Sequence, residues 1–239
     1  MPTLTQLLEA GAHFGHKKER SHPKAKDFIF SIRDSVYVIN LEQTLEKLQK
    51  AIEYLKSQIG IGKTVLFVGT KRQAKEVVKK TAENLAMPYI VERWLGGTLT
   101  NFETISKSLK QLTQLEELMK SEEFGKYTKK ERLRIEKKVE KLNLLFEGIK
   151  DLKFVPDVLF AVDTVAEDVA IKEAKRMNIP IVGVCDTNAD PTLIDYPIPA
   201  NDDSEKTIKL ILETIEANIM KKAKSPQATA RPEGPREEK

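Results

Sequence analysis

Short runs of β-branched and aliphatic residues recur along this chain, each followed by a turn and then by a stretch with helical periodicity. That alternation constrains the fold more than any other feature. Buried strands joined through helices can pair only in parallel, with the helices laid over the sheet. Val65-Leu66-Phe67-Val68 leads through Gly69-Thr70 into a helical stretch from about Arg72 to Leu85, and Tyr89 to Val91 reads as the next strand. Val158 to Val162, a helix over Val165 to Met177, and Ile181 to Val184 repeat the unit, and Ile208 to Met220 closes it as a helix. The expectation is an α/β fold with a mostly parallel sheet and right-handed crossovers. Upstream, a short helix near Leu4 to Ala10 stops at Gly11, a residue type suited to the left-handed position after a helix. Phe28 to Ile32 and Val36 to Ile39 read as strands around the Arg33-Asp34-Ser35 turn, and Asn40 caps a helix through about Ser57. Leu41, Leu45, Leu48, Ile52 and Leu55 of that helix form one apolar stripe.

The alternation breaks once. From Asn101 to roughly Lys150 there is no strand signal; Ile135, Val139, Leu142, Phe146 and Ile149 repeat with coiled-coil spacing, and Ile105, Leu109, Leu112, Leu115 and Met119 supply a partner. The segment reads as an antiparallel helical coiled-coil hairpin turning near Gly125, which buries its seam and leaves charged outer faces. The organisation expected is a first part of the α/β domain over residues 1–100, the insert over 101–150, and a second part over 151–222. Residues 223–239, with Pro226, Pro232 and Pro235 among polar neighbours, read as a disordered tail.

Composition closes several routes. The chain has 239 residues, 40% of them hydrophobic, enough for a sizeable core. Its single cysteine, Cys185, excludes a disulfide framework and any multi-cysteine zinc site, as suits a reducing cytoplasm. Apolar runs are only a few residues long, as in Val65 to Val68, against the roughly 18 a membrane span needs, so no membrane partner is expected. Met1 to Ala10 shows neither the basic region nor the apolar stretch of an export signal.

The motifs that carry chemistry are few. Gly60-Ile61-Gly62-Lys63-Thr64 resembles a phosphate loop, but Ser57 stands where that loop needs its first glycine, and the stretch precedes a strand instead of following one. Gly69-Thr70-Lys71-Arg72 is better placed: it follows a strand and opens a helix, where free N–H groups and two cations can meet an anion. The plainer alternative is a solvated basic turn. Asp163, Asp186, Asp190, Asp195, Asp202 and Asp203 cluster after predicted strands. They fit either a divalent-metal site for phosphoryl chemistry or, as we favour, turn and cap roles. The three histidines, His13, His16 and His22, lie within ten residues but lack metal-ligand spacing. One remaining option brings His16 to the Asp186/Asp203 rim in space. No catalytic constellation is recognisable, and no metal or cofactor is expected.

Positive charge is clustered although the net charge is only +4. Between His13 and Lys26 stand Lys17, Lys18, Arg20, Lys24 and Lys26 against Glu19 alone. A second basic stretch, from Gly125 to Lys141, includes Lys126, Lys129, Lys130, Arg132 and Arg134. Such patches suit sequence-independent contact with a phosphate backbone, and His16 and Phe14 can stack on unpaired bases. Trp94, the only tryptophan, sits in Arg93-Trp94-Leu95-Gly96-Gly97 where the insert begins, and reads as an anchor for it, with Arg93 within reach of phosphate.

Five ordered segments together resemble the bacterial small-subunit (30S) ribosomal protein S2 family. They are His13-Phe14-Gly15-His16, Phe67-Val68-Gly69-Thr70-Lys71-Arg72-Gln73-Ala74, Arg93-Trp94-Leu95-Gly96-Gly97 through Asn101, Asp186-Thr187-Asn188-Ala189-Asp190-Pro191, and Asp195-Tyr196-Pro197-Ile198-Pro199 with Asn201-Asp202-Asp203. The resemblance spans about Leu4 to Met220 and implies a flavodoxin-like, Rossmann-like α/β domain with a protruding coiled-coil hairpin. It implies a non-enzymatic constituent of the cytoplasmic ribosome that binds small-subunit (16S) ribosomal RNA between head and body. Neighbouring ribosomal proteins, including the multi-OB-fold protein that captures mRNA, would dock through it to serve translation. On charge, the expected RNA contacts are His16, Lys17, Lys18, Arg20, Lys24, Lys26, Lys71, Arg72 and Arg93, with Lys129 and Lys130 of the insert. Two residues depart from the family pattern: Ala200 stands where glycine is usual and His22 where asparagine precedes Pro23. If position 200 took positive φ, Ala200 would cost about 1 kcal/mol. Two rival readings belong to other classes: a metal-dependent phosphohydrolase using Asp163, Asp186 and Asp203, and a scaffold whose hairpin binds proteins alone.

Overall fold

The computed structural model describes residues 1–223. The chain runs through α1 (Leu4–Glu9), β1 (Phe14–Lys17), β2 (Ile29–Arg33), β3 (Val36–Ile39) and α2 (Leu41–Gly60). It continues with β4 (Val65–Val68), α3 (Lys75–Asn84), β5 (Tyr89–Ile90), α4 (Phe102–Lys120) and α5 (Lys129–Phe146). Last come β6 (Val158–Val162), α6 (Asp168–Arg176), β7 (Ile181–Cys185), β8 (Tyr196–Pro199) and α7 (Glu205–Ala223). The tail expected from residue 223 lies outside the described residues, except that Ala223 is the last residue of α7.

Five strands form a parallel sheet in the order β5-β4-β6-β7-β8. Counted from β4, that is the 2-1-3-4-5 order of flavodoxin-like folds, with the switch point between β4 and β6. Side chains alternate across it. Val65 and Phe67, Val158, Phe160 and Val162, and Val182 and Val184 point into one core with α2, α3 and α7. Leu66 and Val68, Leu159, and Ile181 and Cys185 point into the other, with α6 and the insert. Because both faces are covered, these strands read as continuous apolar runs.

The α4–α5 pair meets along the spaced residues: Ile105, Leu109, Leu112, Val139, Phe146 and Ile149 are buried, and Leu115, Met119, Ile135 and Leu142 half-buried. The insert was expected to bury only its own seam. Instead its base shares one apolar cluster with Leu66, Val68, Ile90 and Leu159 of the sheet. The physical reason is coverage: the nine-residue α6 alone is too short to shield that face.

Three further departures have local causes. Phe14–Lys17, for which no strand was expected, forms β1, paired antiparallel with β3 in a separate small sheet, order β1-β3-β2. Tyr196–Pro199 carries two prolines, which hide a strand from inspection, yet forms β8. As an edge strand it offers only one side to the ladder, so the missing N–H groups leave no gap. Helix α6 starts at Asp168, not Val165, because Asp163 at φ +64° turns the chain first, its Oδ1 accepting from the N–H groups of Val165 (3.1 Å) and Ala166 (2.9 Å). Ala200 is fully buried and is not among the positive-φ residues, so it carries no left-handed strain. His22 caps the turn that Pro23 opens: its Nδ1 accepts from Lys24 N–H at 3.3 Å.

The insert is tied to the sheet by a buried carboxylate that the sequence did not single out. Glu173 of α6 accepts from Trp94 Nε1 (3.1 Å) and Gly97 N (2.7 Å) through Oε1, and from Leu99 N (2.9 Å), Thr100 N (3.1 Å) and Thr100 Oγ1 (3.1 Å) through Oε2. Burial alone would raise its pKa, but these donors, led by Thr100 and Gly97, bring it below the usual value. Trp94 is thus an anchor, as its position suggested. Glu173→Gln turns one acceptor into a donor facing N–H groups, so we expect a loss of about 2 kcal/mol in urea unfolding. A change under about 0.5 kcal/mol would show that the loop does not depend on this carboxylate.

Candidate functional site

All parallel strands end on one rim, and the residues that follow them meet there. Gly69-Thr70-Lys71 follows β4, Asp163 follows β6, Asp186-Thr187 follows β7, and Asp202-Asp203 lies between β8 and α7. Lys71 Nζ sits 2.9 Å from Asp163 Oδ2, 2.7 Å from Asp202 Oδ1 and 2.7 Å from Asp203 Oδ1. Burial lowers the pKa of this ammonium, but its hydrogen bonds to Asp202, Asp203 and Asp163 carry it well above the usual lysine value. Asp202 is fully buried; desolvation, with Asp163 and Asp186 nearby, pushes it up to about 7.

The anion expected at the Gly69–Arg72 turn is therefore supplied by the chain itself. Glu167, 2% exposed, accepts from Thr70 N–H at 2.7 Å, filling the switch-point position where flavodoxin-like folds receive phosphate. Burial raises the Glu167 pKa despite the Thr70 hydrogen bonds. Helix α3 accordingly begins only at Lys75, after Lys71 carbonyl has accepted from Ala74 N and Lys75 N.

The N-terminal segment is laid across this rim. His16 N–H donates to Thr187 Oγ1 at 2.8 Å, His22 N–H to Thr187 O at 2.8 Å, and Asn201 N–H to Ala12 O at 3.1 Å. Gly15 permits the approach, since a Cβ there would stand 2.7 Å from Thr187 Cγ2 and 3.0 Å from Tyr37 O. His16 Nδ1 lies 3.1 Å from Asp186 Oδ1 and Nε2 3.6 Å from Asp203 Oδ2, so the three residues named as a spatial option do meet. The Asp186 carboxylate, with lesser help from Asp202 and Asp203, raises the His16 pKa against the opposing effect of burial.

The other sequence-selected cations are differently placed. Lys17, Lys18, Arg20 and Lys26 are exposed on β1 and the two 3₁₀ turns after it. Lys24 is exposed too but pairs with Asp190 at 2.8 Å, clamping the second turn to the loop after β7. Arg72 is exposed at the same rim, beyond β4, and Arg93 beyond β5. Lys129 and Lys130 are exposed at the start of α5, remote in sequence from the rim, at the far turn of the insert. His16 and Lys71 are engaged by carboxylates of the chain. Thr187 and Glu167 complete the rim but carry no sequence signal beyond their types, because polar residues in the turns after strands are equally the usual turn formers.

Comparison with known proteins agrees with the motifs. Residues 7–222 match the family described as Ribosomal protein S2. The chain is similar to the small ribosomal subunit protein uS2 of Coprothermobacter proteolyticus, 46% identical over 232 residues, which cover 97% of this chain and 87% of that protein. It is likewise similar to the small ribosomal subunit protein uS2 of Sinorhizobium medicae, 48% identical over 213 residues, covering 89% and 83%.

Two measurements check the rim. Lys71→Met leaves three carboxylates without their shared cation, and we expect about 3 kcal/mol of lost stability or failure to fold; a neutral outcome in urea unfolding would show that the cluster is relieved another way. Desolvation opposes ionisation of Asp190, but the hydrogen bonds from Lys24 and Thr192 lower its pKa to about 2. A carboxyl whose folded pKa is depressed contributes stability above its unfolded pKa of about 4 and loses it as pH falls towards 2. Asp190→Asn should therefore lower Tm near pH 6, with a deficit below about 1 kcal/mol, and the difference should close by pH 2.

Proposed function

The chain belongs to the ribosomal protein S2 family, and from that premise we propose that it is a structural constituent of the small ribosomal subunit in the cytoplasm, serving translation by binding 16S ribosomal RNA and neighbouring ribosomal proteins. The observation that carries the RNA-binding part is the N-terminal segment. Lys17, Lys18, Arg20 and Lys26 are exposed on a stretch held in place by three hydrogen bonds, from His16 N–H to Thr187 Oγ1, from His22 N–H to Thr187 O and from Asn201 N–H to Ala12 O. Cations presented on a fixed backbone meet phosphates without first losing chain entropy, and each contact releases counterions. Arg72 and Arg93 extend the surface along the same rim; His16 and Lys71 set its shape by holding their own carboxylates. Lys129 and Lys130 at the turn of the insert form a separate contact.

A protein role fits the rest of the molecule. The outer faces of the α4–α5 pair are free of the core, and the boundaries 1–100, 101–150 and 151–222 separate a two-part α/β body from the insert. Between the head and body of the subunit, such a body supplies docking for the multi-OB-fold protein that captures mRNA. The phosphohydrolase reading finds less support, because Asp163 Oδ2 and Asp203 Oδ1, two of its three carboxylates, are both committed to Lys71.

Filter binding of the full chain to 16S RNA tests the reading. Affinity should fall steeply with salt, and changing Lys17, Lys18, Arg20 and Lys26 together to alanine should flatten the slope of log K against log salt by about three to four. An unchanged slope would remove the N-terminal segment from the interface. In lysate, the chain should sediment with small subunits and assembled ribosomes on a sucrose gradient; its absence from both fractions would remove the ribosomal role itself.

A further inference from the structure

At the end of the sheet opposite the rim, the chain leaves apolar surface uncovered. The strands begin there, and the residues that lead into β4, β5 and β6 wall a groove of about 890 Å³. Gly62 and Thr64 line it before β4, Met87 and Pro88 before β5, and the stretch from Glu147 to Asp157 before β6. Its lip carries Phe154, 78% exposed and the most exposed large apolar side chain among the described residues. Ile61, next to Gly62, is 70% exposed. Leu152, Val155, Met87 and Pro88 are half-buried along the wall. Apolar side chains gathered at one exposed place mark a contact surface.

The charge of the groove is one-sided. Glu147 is paired with Lys79 at 2.9 Å and Lys150 with Glu116 at 2.8 Å, so these two lining ions are answered within the chain. Of the other ionised side chains lining it, Glu83, Asp151 and Asp157 stand against Lys153 alone, and all of these are exposed. Glu83 and Asp157 accept hydrogen bonds from Tyr89 Oη at 3.2 Å and Thr64 N–H at 2.9 Å, donors that carry no charge. The backbone at the lip is unpaired too: the N–H groups of Lys153, Phe154 and Val155 donate to no group among the described residues.

We propose that this groove receives an extended segment of a partner protein in which lysine or arginine alternates with aliphatic residues. Successive side chains of an extended chain point to opposite faces, so one row meets the apolar wall while the other reaches the carboxylates. The free N–H groups at 153–155 add main-chain hydrogen bonds, which supply affinity in such pairings while the side chains supply specificity. A helical partner would leave those N–H groups unused, and a nucleic acid would bring its phosphates to Glu83, Asp151 and Asp157. The groove lies at the opposite end of the sheet from the cations assigned to RNA, so this inference and the RNA-binding reading stand or fall separately.

The test is fluorescence anisotropy of the full chain with a fluorescein-labelled peptide of about eight residues that alternates lysine and valine. The peptide should bind saturably at one equivalent, with affinity falling as salt rises. Phe154→Ala should weaken binding at least about tenfold. Glu83→Gln combined with Asp151→Asn should weaken it at least about threefold and make its salt dependence shallower. Phe30→Ala, which removes a comparably exposed aromatic ring on β2, should leave it unchanged. All these positions are exposed, so the variants should fold, and circular dichroism checks that they do. As a second readout, bound peptide should slow amide hydrogen exchange at 153–155. Absence of saturable binding, equal binding of a peptide with glutamate in place of lysine, binding undiminished in Phe154→Ala, or capture of labelled oligouridylate that Phe154→Ala abolishes would each overturn the proposal.

Discussion

One ammonium group closes the C-terminal rim of the sheet. Lys71 follows β4, yet it satisfies carboxylates that follow β6 and β8, so the ends of three strands are held by a shared charge. Three acids crowded around low-dielectric space would repel one another without it, and the turn after β4 would have no reason to adopt its shape. The same crowding accounts for Asp202 titrating near neutrality and for the rise in the His16 pKa. Because Glu167 supplies the anion that Thr70 N–H needs, the crevice between β4 and β6 is filled from within. A fold whose switch point commonly receives a phosphate is here closed against one by its own side chains.

Around that rim the two functional surfaces are positioned by different means. The N-terminal segment is pinned by hydrogen bonds that it donates to Thr187 and accepts from Asn201, with Gly15 allowing the approach, so its lysines and Arg20 project from a fixed base. The insert is pinned by burial: the base of the α4–α5 pair covers the sheet face that α6 is too short to shield. Glu173 fastens the connecting loop with five donors. In both cases the charged groups facing solvent are held by groups that face inward.

The main elements were legible because their physics is local. Val65–Val68 and Val158–Val162 are continuous apolar runs bounded by turns, and the residues spaced by three and four in the insert form helices with those residues turned inward. What escaped had a reason to escape. The prolines of β8 remove the strand signature while its edge position makes them harmless. The β1 strand is short and basic, and it becomes a strand only because β3 lies beside it. At the candidate site, the clustered cations and the acids after strands were both visible, but their pairing was not: nothing in the spacing of Lys71 and Asp202 shows that they touch.

The sequence by itself determined the parallel α/β architecture, the place of the helical insert and the family, since hydrophobic periodicity and ordered motifs are properties of neighbours along the chain. Only the tertiary structure decided which charges remain available. Lys71 and Lys17 are equivalent on paper; folding buries one among three carboxylates and leaves the other in water, because strand ends distant in sequence meet at one rim. The close approach of His16 to Asp186 and Asp203, 170 or more residues away, is likewise decided by the sheet order. Chemistry that depends on distances across the fold is set by packing, which no local pattern records.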